Sequence, residues 1–553
     1  MILEYKIDYR SSSLVYEKIF VKELQKHNLE GRLQRDGFVL KLYVQAKDAQ
    51  ELEQFADSFA ASLPNSIFLH SVEATVVEQM PQTSLEIDSS YKLELPFCPE
   101  CKAKVEDSSS DSYYDISTKC EVCGYSATAK SKNYKAEFEA IAKEIADGKI
   151  ITLDTFYATY HIGKLGNVCK DIECDVLSYD LATVARYTHS NEYELNLLAS
   201  FEKPLMRLKT NTKFLMDFEE VGKELLRFRL ADDFVLHFLT AELHTLGIDM
   251  VFLTQESINT YATYSFVERT QDLTPIEIVA SQKEILITSG NKGLPQIEYA
   301  KDSITPAVDR LYSIIDEHKL DDDNIACISL DKKQDTAILV YGKKYGMVEY
   351  LSLSANFSSI KEIFATIASS DDSGLSLVRN YKAKFPELFE KIVDIEFDNS
   401  RFNIYRLWGV IAMILGYSNS QEPLEASKKI DTNVEMFLGK KGPRIDYKLY
   451  NKDGKVHYDP LMTIRTAMSF KLAGVDELML SFGVMESFVE FVVNELDEAQ
   501  KSMSTTAVVF SGDMFTNKAI FDKFVTESTI NHKVYTHNQV SMDMSNLLYK
   551  GGE

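Results

Sequence analysis

Cys98-Pro99-Glu100-Cys101 and Cys120-Glu121-Val122-Cys123 are two short cysteine motifs separated by 18 residues. Each motif offers two thiolates on one side of an ion, and four thiolates form the tetrahedron that zinc prefers. Gly124, directly after the second motif, permits the tight turn that this geometry needs. Because cysteine fills all four positions and leaves none for water, the pattern predicts a structural zinc rather than a catalytic one. Four buried thiols without a metal are the less favoured alternative.

The hydrophobic pattern ahead of this module alternates between the strand period and the helix period. Six predicted segments follow in the order β-α-β-β-α-β, at Leu3–Asp8, Leu14–His27, Glu30–Gln34, Phe38–Val44, Ala49–Leu63 and Phe68–Val77. This is the order of ferredoxin-like domains. We therefore expect the chain to begin with a domain of that kind.

The chain beyond the module also mixes helices with strands. Tyr134–Ala146 predicts a helix closed by Gly148, and Ile150–Leu153 predicts a strand. Mixed patterns continue to about residue 278, and the remaining tail is again α/β. The predicted fold class is therefore a multidomain protein of α/β and α+β type.

Composition restricts the classes of function. The chain has 84 acidic and 60 basic side chains and a formal net charge of -24, which repels nucleic-acid phosphates and anionic lipid headgroups. Its longest uncharged apolar stretch, Leu407–Tyr417, has 11 residues, whereas roughly 20 are needed to cross a bilayer. The first residues lack the basic and apolar regions of a signal peptide. We expect a cytoplasmic protein with no nucleic-acid partner and no membrane insertion.

Four stretches outside the cysteine module complete a recognisable order of parts. Near the end of the chain, a strand leads into Ser511-Gly512-Asp513-Met514-Phe515-Thr516-Asn517, and Val534-Tyr535-Thr536-His537 is followed by Asp543. These stretches resemble the Ser-Gly-Gly-Val-Phe-x-Asn and Asn-Asp-Gly-Gly motifs of HypF, the carbamoyltransferase of nickel-iron hydrogenase maturation. Phe138–Ile151 and Tyr160-His161-Ile162 similarly resemble the opening of the YrdC-like domain of that family.

The resemblance implies four domains over essentially the whole chain. They are an acylphosphatase-like domain at 1–88, a zinc-binding module at 89–132, a YrdC-like domain at 133–278 and a C-terminal domain of sugar-kinase/actin type at 279–553. In the family these domains use carbamoyl phosphate and ATP to make a carbamoyl-adenylate for cyanide-ligand synthesis. The implied partners are a hydrogenase subunit or a maturation protein such as a HypE-like protein.

The acylphosphatase-like domain departs from the family at its loop. An acyl phosphate needs a glycine-rich cradle of backbone amides and an arginine to offset its charge. The loop here is Asp8-Tyr9-Arg10-Ser11-Ser12-Ser13, without glycine, and Arg35 stands where an asparagine would orient water. We therefore predict no acylphosphatase activity. The zinc module also departs, because one set of four cysteines replaces the usual two fingers.

The YrdC-like domain has lost most features of an ATP site. Thr155-Phe156-Tyr157-Ala158-Thr159 replaces a glycine-rich turn, Arg186–Glu192 replaces a Lys/Arg-rich segment, and Thr254-Gln255-Glu256-Ser257 carries a carboxylate where a phosphate would lie. Thr288-Ser289-Gly290-Asn291 is either the family turn displaced by an insertion or, as we favour, a plain strand-to-loop turn. His161 is predicted to be a packed core residue rather than a catalyst.

The C-terminal domain has lost its metal and nucleotide motifs as well. The family's His-His-x-His cluster does not occur, and Leu330–Thr336 predicts a β-turn in place of an Asp-Gly-Thr-Gly loop. The remaining candidates for nucleotide contact are Ser511, Gly512, Asn517 and Asp543. Asp513 adds negative charge beside them, so we favour a preserved capping and packing motif.

Three functions are compatible with these patterns. The favoured one is a HypF-like accessory protein, a pseudoenzyme with degraded catalytic sites that acts by binding partners during hydrogenase maturation. The alternative is an active carbamoyltransferase that uses carbamoyl phosphate and ATP. The third, threonylcarbamoyl transfer to tRNA, is disfavoured by the net charge.

Overall fold

The structure is a computed structural model that describes residues 1–87, 97–120, 125–166, 168–269, 273–299, 306–398, 401–452 and 455–549. The chain divides into two compact units. The first comprises Met1–Ile278, Ser289–Ile297 and Ser545–Leu548, and the second comprises Val279–Thr288, Glu298–Met544 and Tyr549–Glu553. The finer division into four domains stays a prediction.

The N-terminal part of the first unit has the predicted β-α-β-β-α-β order. Its elements are β1 (Ile2–Tyr9), α1 (Val15–His27), β2 (Glu30–Asp36), β3 (Val39–Gln45), α2 (Ala49–Ser62) and β4 (Leu69–Val77). The strands form an antiparallel sheet in the order β2-β3-β1-β4. Phe20, Phe55 and Phe59 pack together with ring centroids 5.4 to 5.8 Å apart. This aromatic cluster joins α1 to α2.

A second sheet follows the cysteine module in the same unit. The elements of this stretch are α3 (Pro99–Glu106), α4 (Lys135–Ala146), β5 (Ile151–Asp154), β6 (Thr159–Lys164), α5 (Val168–Asp171), β7 (Asp175–Ser178), α6 (Leu181–Tyr187), α7 (Glu192–Ala199), β8 (Leu205–Lys209), α8 (Thr212–Asp217), β9 (Leu225–Arg229), α9 (Phe234–Thr245), β10 (Met250–Thr254), β11 (Ala262–Ser265), β12 (Glu277–Ala280) and β13 (Ile285–Ser289). Within the unit the strands run β11-β5-β6-β10-β7-β9-β8-β12. The sheet is mixed, with parallel pairs such as β7 with β9 and antiparallel pairs such as β8 with β9.

The second unit is built on a five-stranded sheet. The remaining elements of the chain are β14 (Ile297–Tyr299), α10 (Pro306–Glu317), β15 (Ile325–Ser329), β16 (Ala337–Gly342), β17 (Gly346–Ser352), β18 (Ala355–Asn356), α11 (Ile360–Ser370), α12 (Asp372–Lys384), α13 (Pro386–Ile392), β19 (Arg401–Phe402), α14 (Ile404–Ile414), α15 (Pro423–Met436), β20 (Lys448–Lys452), β21 (Lys455–Asp459), α16 (Pro460–Ala473), α17 (Glu477–Met503), β22 (Ala507–Ser511), α18 (Lys518–Ser528), β23 (Lys533–Tyr535) and β24 (Leu547–Tyr549). The sheet runs β17-β16-β15-β22-β23, with β15, β22 and β23 parallel. Short 3-10 helices lie at Glu219–Val221 and Asp513–Thr516.

Apolar helices fill the core of the second unit. Trp408 on α14 is fully buried and meets the ring of Phe488 on α17 at 5.7 Å between centroids. The apolar stretch that begins at Leu407 therefore belongs to a packed core. Among the described residues, no helix combines the length with the apolar character needed to cross a bilayer.

Candidate metal centre and substrate loops

Three of the four predicted zinc ligands converge in the first unit. The Sγ atom of Cys98 lies 3.6 Å from that of Cys101 and 3.9 Å from that of Cys120. A tetrahedron with Zn–S bonds of about 2.3 Å has S–S edges of about 3.8 Å, so the spacing fits a zinc ion. The three thiols all lie within 4.8 Å of one another and can hold a metal ion. The amide of Cys120 donates to the carbonyl of Tyr125 at 2.9 Å.

The other cysteines are separate from this cluster. Cys123, the predicted fourth ligand, and Gly124 lie outside the described residues. Cys169, Cys174 and Cys327 are buried, as expected for core residues. The described part of the chain therefore contains one cluster of metal-ligating side chains, at the predicted module.

A cleft of about 1390 Å³ opens beside the thiols, between α1 and α3. Lys18, Lys22, Lys104 and Lys119 line it, together with a single carboxylate, that of Glu100. Its apolar lining comes from Val21, Leu24, Leu29, Leu33, Leu85 and Ile87. In a chain of net charge -24 this is a local concentration of positive charge beside apolar surface.

Lys22 shows how the charged groups of the cleft interact with one another. Its ammonium group pairs with Glu100. Partial burial alone would lower the pKa of Lys22, but Glu100, Cys120 and Cys98 hold it above its ordinary value. Lys22 therefore interacts electrostatically with both Glu100 and the cysteine cluster.

The acylphosphatase-type loop of the first sheet is held by Arg35 from β2. The Arg35 guanidinium donates to the carbonyls of Ser11 at 2.6 Å and Ser13 at 3.0 Å. It also bonds Glu17, whose carboxylate is fully buried, at 2.7 and 2.8 Å. The carbonyl oxygens of the loop are thus directed at the Arg35 guanidinium. A phosphate would instead need hydrogen-bond donors directed at its own oxygens. The residue that stands in for the family's asparagine fills the space with its own side chain.

The turn that replaces the glycine-rich ATP loop is likewise bonded within the protein. The hydroxyl of Thr155 accepts from the amides of Tyr157 and Ala158, and Asp233 accepts from the amide of Phe156 at 2.9 Å. Asp233 also caps α9 by accepting from the amide of Leu236. Burial, reinforced by Asp232, raises the pKa of Asp233 to about 6. The amides that would face a phosphate are therefore occupied, with a carboxyl group beside them.

A buried ionic cluster adjoins that turn. Arg229 and Lys292 both contact the carboxylate of Asp232 at 2.5 Å, and all three side chains are at most 3 % exposed. Lys292 also lies 3.6 Å from the centre of the Tyr157 ring, and burial lowers its pKa to about 8. Because Lys292 follows Asn291 directly, the Thr288-Ser289-Gly290-Asn291 turn delivers a cation to this cluster. The cation is neutralised by Asp232 and faces no open phosphate cradle.

His161 and the Thr254–Ser257 turn are occupied by ordinary contacts. His161 on β6 shares a hydrogen bond of 3.0 Å with Thr152, its cross-strand neighbour on β5. Glu256 accepts from the amide of Glu173, and Thr254 donates to the carbonyl of Glu173. His161 is only partly buried, so it is not the packed core residue that the sequence predicts.

The loop between β15 and β16 is the stretch predicted to replace a nucleotide loop. Arg310 bonds both carboxylate oxygens of Asp331, at 2.6 and 2.7 Å. Asp513 accepts from the backbone amide of Lys332 at 2.6 Å. The Lys332 ammonium reaches Asp431 on α15 at 2.9 Å. Three aspartates and two cations thus form a closed network at the carboxyl ends of β15 and β22.

The four remaining nucleotide candidates make different contacts. Ser511 ends β22 and bonds His537 at 3.0 Å, and Gly512 follows with φ 115°. Asn517 caps α18 through the amides of Ala519 and Ile520 and donates to Asp431 at 2.6 Å. Asp543 lies beside Thr288, whose carbonyl accepts from its amide at 3.2 Å. The capping of α18 agrees with the packing interpretation of this motif.

Sequence reasoning missed the partners that occupy these loops. Asp431 lies mid-helix on α15, and its partner Lys332 is 99 residues away, so no local pattern marks it. Asp232 had a usable signal, because it directly precedes the Asp233 cap of α9. Lys292 also had a usable sequence signal, because it directly follows the Thr288–Asn291 turn.

Comparison with known proteins gives the class of fold first. No family model matches the chain. The structure of full-length HypF in its phosphate- and nucleotide-bound form aligns over 98% of this chain and 96% of its own, with a TM-score of 0.61 and 13% identity. T. kodakarensis HypF aligns over 97% and 95%, with a TM-score of 0.64 and 11% identity. The chain therefore has the HypF fold over nearly its whole length, which confirms the predicted resemblance and fold class.

A curated relative matches the sequence over a similar length. Protein HydE of Wolinella succinogenes is 27% identical over 530 residues, which cover 92% of this chain and 93% of HydE. The chain is thus similar in fold to HypF and in sequence to HydE.

Proposed function

We propose that this chain is an accessory protein of nickel-iron hydrogenase maturation that works by binding partners. Its HypF-type substrate loops are closed by the protein's own side chains, and one structural zinc holds the cysteine module. The full-length similarity to HydE and the HypF fold support the connection with hydrogenase maturation.

The observation that carries the proposal is the bonding of the three loops. Arg35 fills the first loop, Thr155 and Asp233 use the amides of the second, and Lys332 is shared by Asp513 and Asp431 in the third. An anionic substrate would have to break these contacts and then meet carboxylates. Retention of the scaffold with such loops favours binding over turnover.

The cysteine module is suited to a zinc ion with a structural rather than a catalytic role. Cys98, Cys101 and Cys120 supply three thiolates at suitable spacing, and we assign Cys123 as the fourth. Four thiolates complete the tetrahedron and leave no position for water or substrate.

The cleft beside the zinc module supplies a surface for a partner. Its volume exceeds the range of about 300–1,000 Å³ that is typical of small-molecule pockets. Lysines beside apolar side chains suit an acidic, partly apolar protein surface. The partners that fit the proposal are a hydrogenase subunit or a maturation protein such as a HypE-like protein.

The test is capture of partners by a tagged, zinc-loaded full-length chain from its own host, read by mass spectrometry. We expect a hydrogenase subunit or maturation protein to be enriched. Lys104→Glu with Lys119→Glu in the cleft should reduce that enrichment, whereas Lys440→Glu with Lys441→Glu, the same charge change in the second unit, should not. Capture without any hydrogenase component would overturn the proposal.

A further inference from the structure

Among the residues that the structure describes, strand β4 is an open edge of the first sheet. It stands last in the order β2-β3-β1-β4, and its described backbone partner is β1 on one side. The opposite edge of the sheet, strand β2, is contacted by a later segment of the chain. There Leu85 donates to the carbonyl of Leu33 at 2.7 Å, and the amide of Leu33 donates to Ser84 at 3.1 Å. One edge of the sheet is therefore covered by the chain, and nine residues of the other are presented outward.

The side chains of β4 are unusually exposed and apolar. Residues 71–76 are all exposed, with Val72 at 46% and Val76 at 61%. Val72, Ala74 and Val76 share one face, because they lie opposite Ile7, Tyr5 and Leu3 of β1. Natural edge strands are usually guarded by lysine, proline or several charges. From 69 to 77 the strand has no proline and no lysine, and its single acidic residue is Glu73.

We propose that β4 pairs with β4 of a second copy of this chain, antiparallel, around a two-fold axis at Ala74. The two four-stranded sheets then become one continuous sheet across a closed dimer. In this register Val72 lies opposite Val76, Glu73 opposite Thr75 and His70 opposite Glu78. No like charges meet, and each exposed valine is paired with another.

Neighbouring registers are less favourable. A shift of one residue places the apolar face of one strand against the polar face of the other, because side chains alternate with a period of two. An axis at Glu73 sets two carboxylates directly opposite each other, which is destabilising. An axis at Thr75 sets Val72 against Glu78. The register at Ala74 combines apolar pairing with the absence of charge conflict.

The net charge determines how salt acts on this dimer. Each copy has a formal charge of -24, so the copies repel each other at long range. Ions at physiological strength screen such repulsion beyond about 8 Å, whereas the strand contacts are shorter. The dimer should therefore tighten as salt rises, unlike an interface that depends on opposite charges.

Sedimentation velocity of the zinc-loaded full-length chain tests the proposal. We expect a species of twice 62.8 kDa that grows with protein and salt concentration. Val72→Lys with Val76→Lys places lysines opposite each other across the axis and should give a monomer with an unchanged circular dichroism spectrum. Val348→Lys, on the exposed face of β17, is the matched control and should still dimerise.

Cross-linking tests the register separately. Ala74→Cys, at the axis, should join two chains through a short thiol-directed cross-linker, whereas the wild-type chain and Ser71→Cys should not. A monomer at every concentration, a dimer that survives both lysines, or open-ended oligomers would each overturn the proposal. Hydrogenase components could still be captured in any of these cases, so this result is independent of the proposed function.

Discussion

Gly512 shows how one residue fixes the approach of two strands. Its φ of 115° and ψ of 149° lie in a region that is almost restricted to glycine. A Cβ at this position would lie 2.2 Å from the carbonyl oxygen of Leu330. Leu330 in turn donates its amide to the Ser511 carbonyl at 3.0 Å, so the backbone has no room to move away.

Gly512→Ala should therefore destabilise the second unit by roughly 2–6 kcal/mol, through backbone strain together with overpacking. Gly148→Ala is the matched control. It has φ 84° but nothing within 4 Å of its Cβ, so it should lose only about 1–3 kcal/mol. Urea unfolding measures both. Equal losses would contradict the close approach at Leu330.

Arg35 and Glu17 form a second contact that depends on single residues. Arg35→Ala leaves the buried Glu17 carboxylate without its cation and should cost about 3–5 kcal/mol. Arg32→Ala, on the same strand but exposed, should change stability by less than about 0.5 kcal/mol. Denaturant titrations of the two variants decide the point. Similar midpoints for both would show that Arg35 does not hold the loop.

His537 predicts a pH dependence of stability. Burial, with Arg310 and His318 nearby, lowers its pKa to about 3 from an ordinary 6.5. Between these values the unfolded chain binds a proton that the folded chain does not, so stability falls as pH drops from 6.5 toward 3. The slope from this group is at most about 1.4 kcal/mol per pH unit.

His537→Gln removes the titrating group and should flatten that slope, whatever its effect on stability at neutral pH. Unfolding free energies measured between pH 4 and pH 7 test the change. An identical slope in wild type and variant would rule out His537 as its source.

At the scale of elements, the cysteine module is the place where we propose that a metal ion stabilises the fold. The thiols of Cys98, Cys101 and Cys120 lie within 4.8 Å of one another. We expect one zinc per chain by elemental analysis. Cys98→Ser should remove the metal and lower the melting temperature, because metal binding contributes directly to folding. Cys327→Ser, a buried thiol outside the module, should retain zinc. A zinc-free wild type with unchanged stability would refute a structural metal.

Elements with strong local periodicity were predictable from sequence. The six N-terminal segments agree with the structure within a residue or two, because apolar alternation and helical spacing are local signals. Helix α17 runs from Glu477 to Met503, and its buried face continues as far as Leu496 and Ala499. The stretch Leu330–Thr336 joins two antiparallel strands, but it is a seven-residue loop rather than the predicted β-turn.

The partners inside the loops were not predictable, since they join residues distant in sequence. Arg35 reaches Ser11 across 24 residues, and Lys292 reaches Asp232 across 60. A sequence shows that a loop lacks glycine or carries an acid. Which side chain fills the space depends on the packing of whole sheets, and only the fold supplies that information.

At the scale of the whole molecule, the scaffold shows the relation to HypF, whereas the loops show how this chain differs from it. The HypF fold extends over nearly the full length, although identity to those structures is only 11–13%. Such divergence retains sheets and cores, whereas the loops now bond to the protein itself. The chain retains the HypF fold, and we propose that it serves as a binding protein.

The most direct measurement is carbamoyl-phosphate-dependent exchange of labelled pyrophosphate into ATP, with a folded, zinc-loaded, full-length preparation and HypF as the positive control. We predict no exchange above the background seen without carbamoyl phosphate. Exchange at a rate that rises with carbamoyl phosphate would contradict the claim, because it would show that the closed loops still bind and activate these substrates.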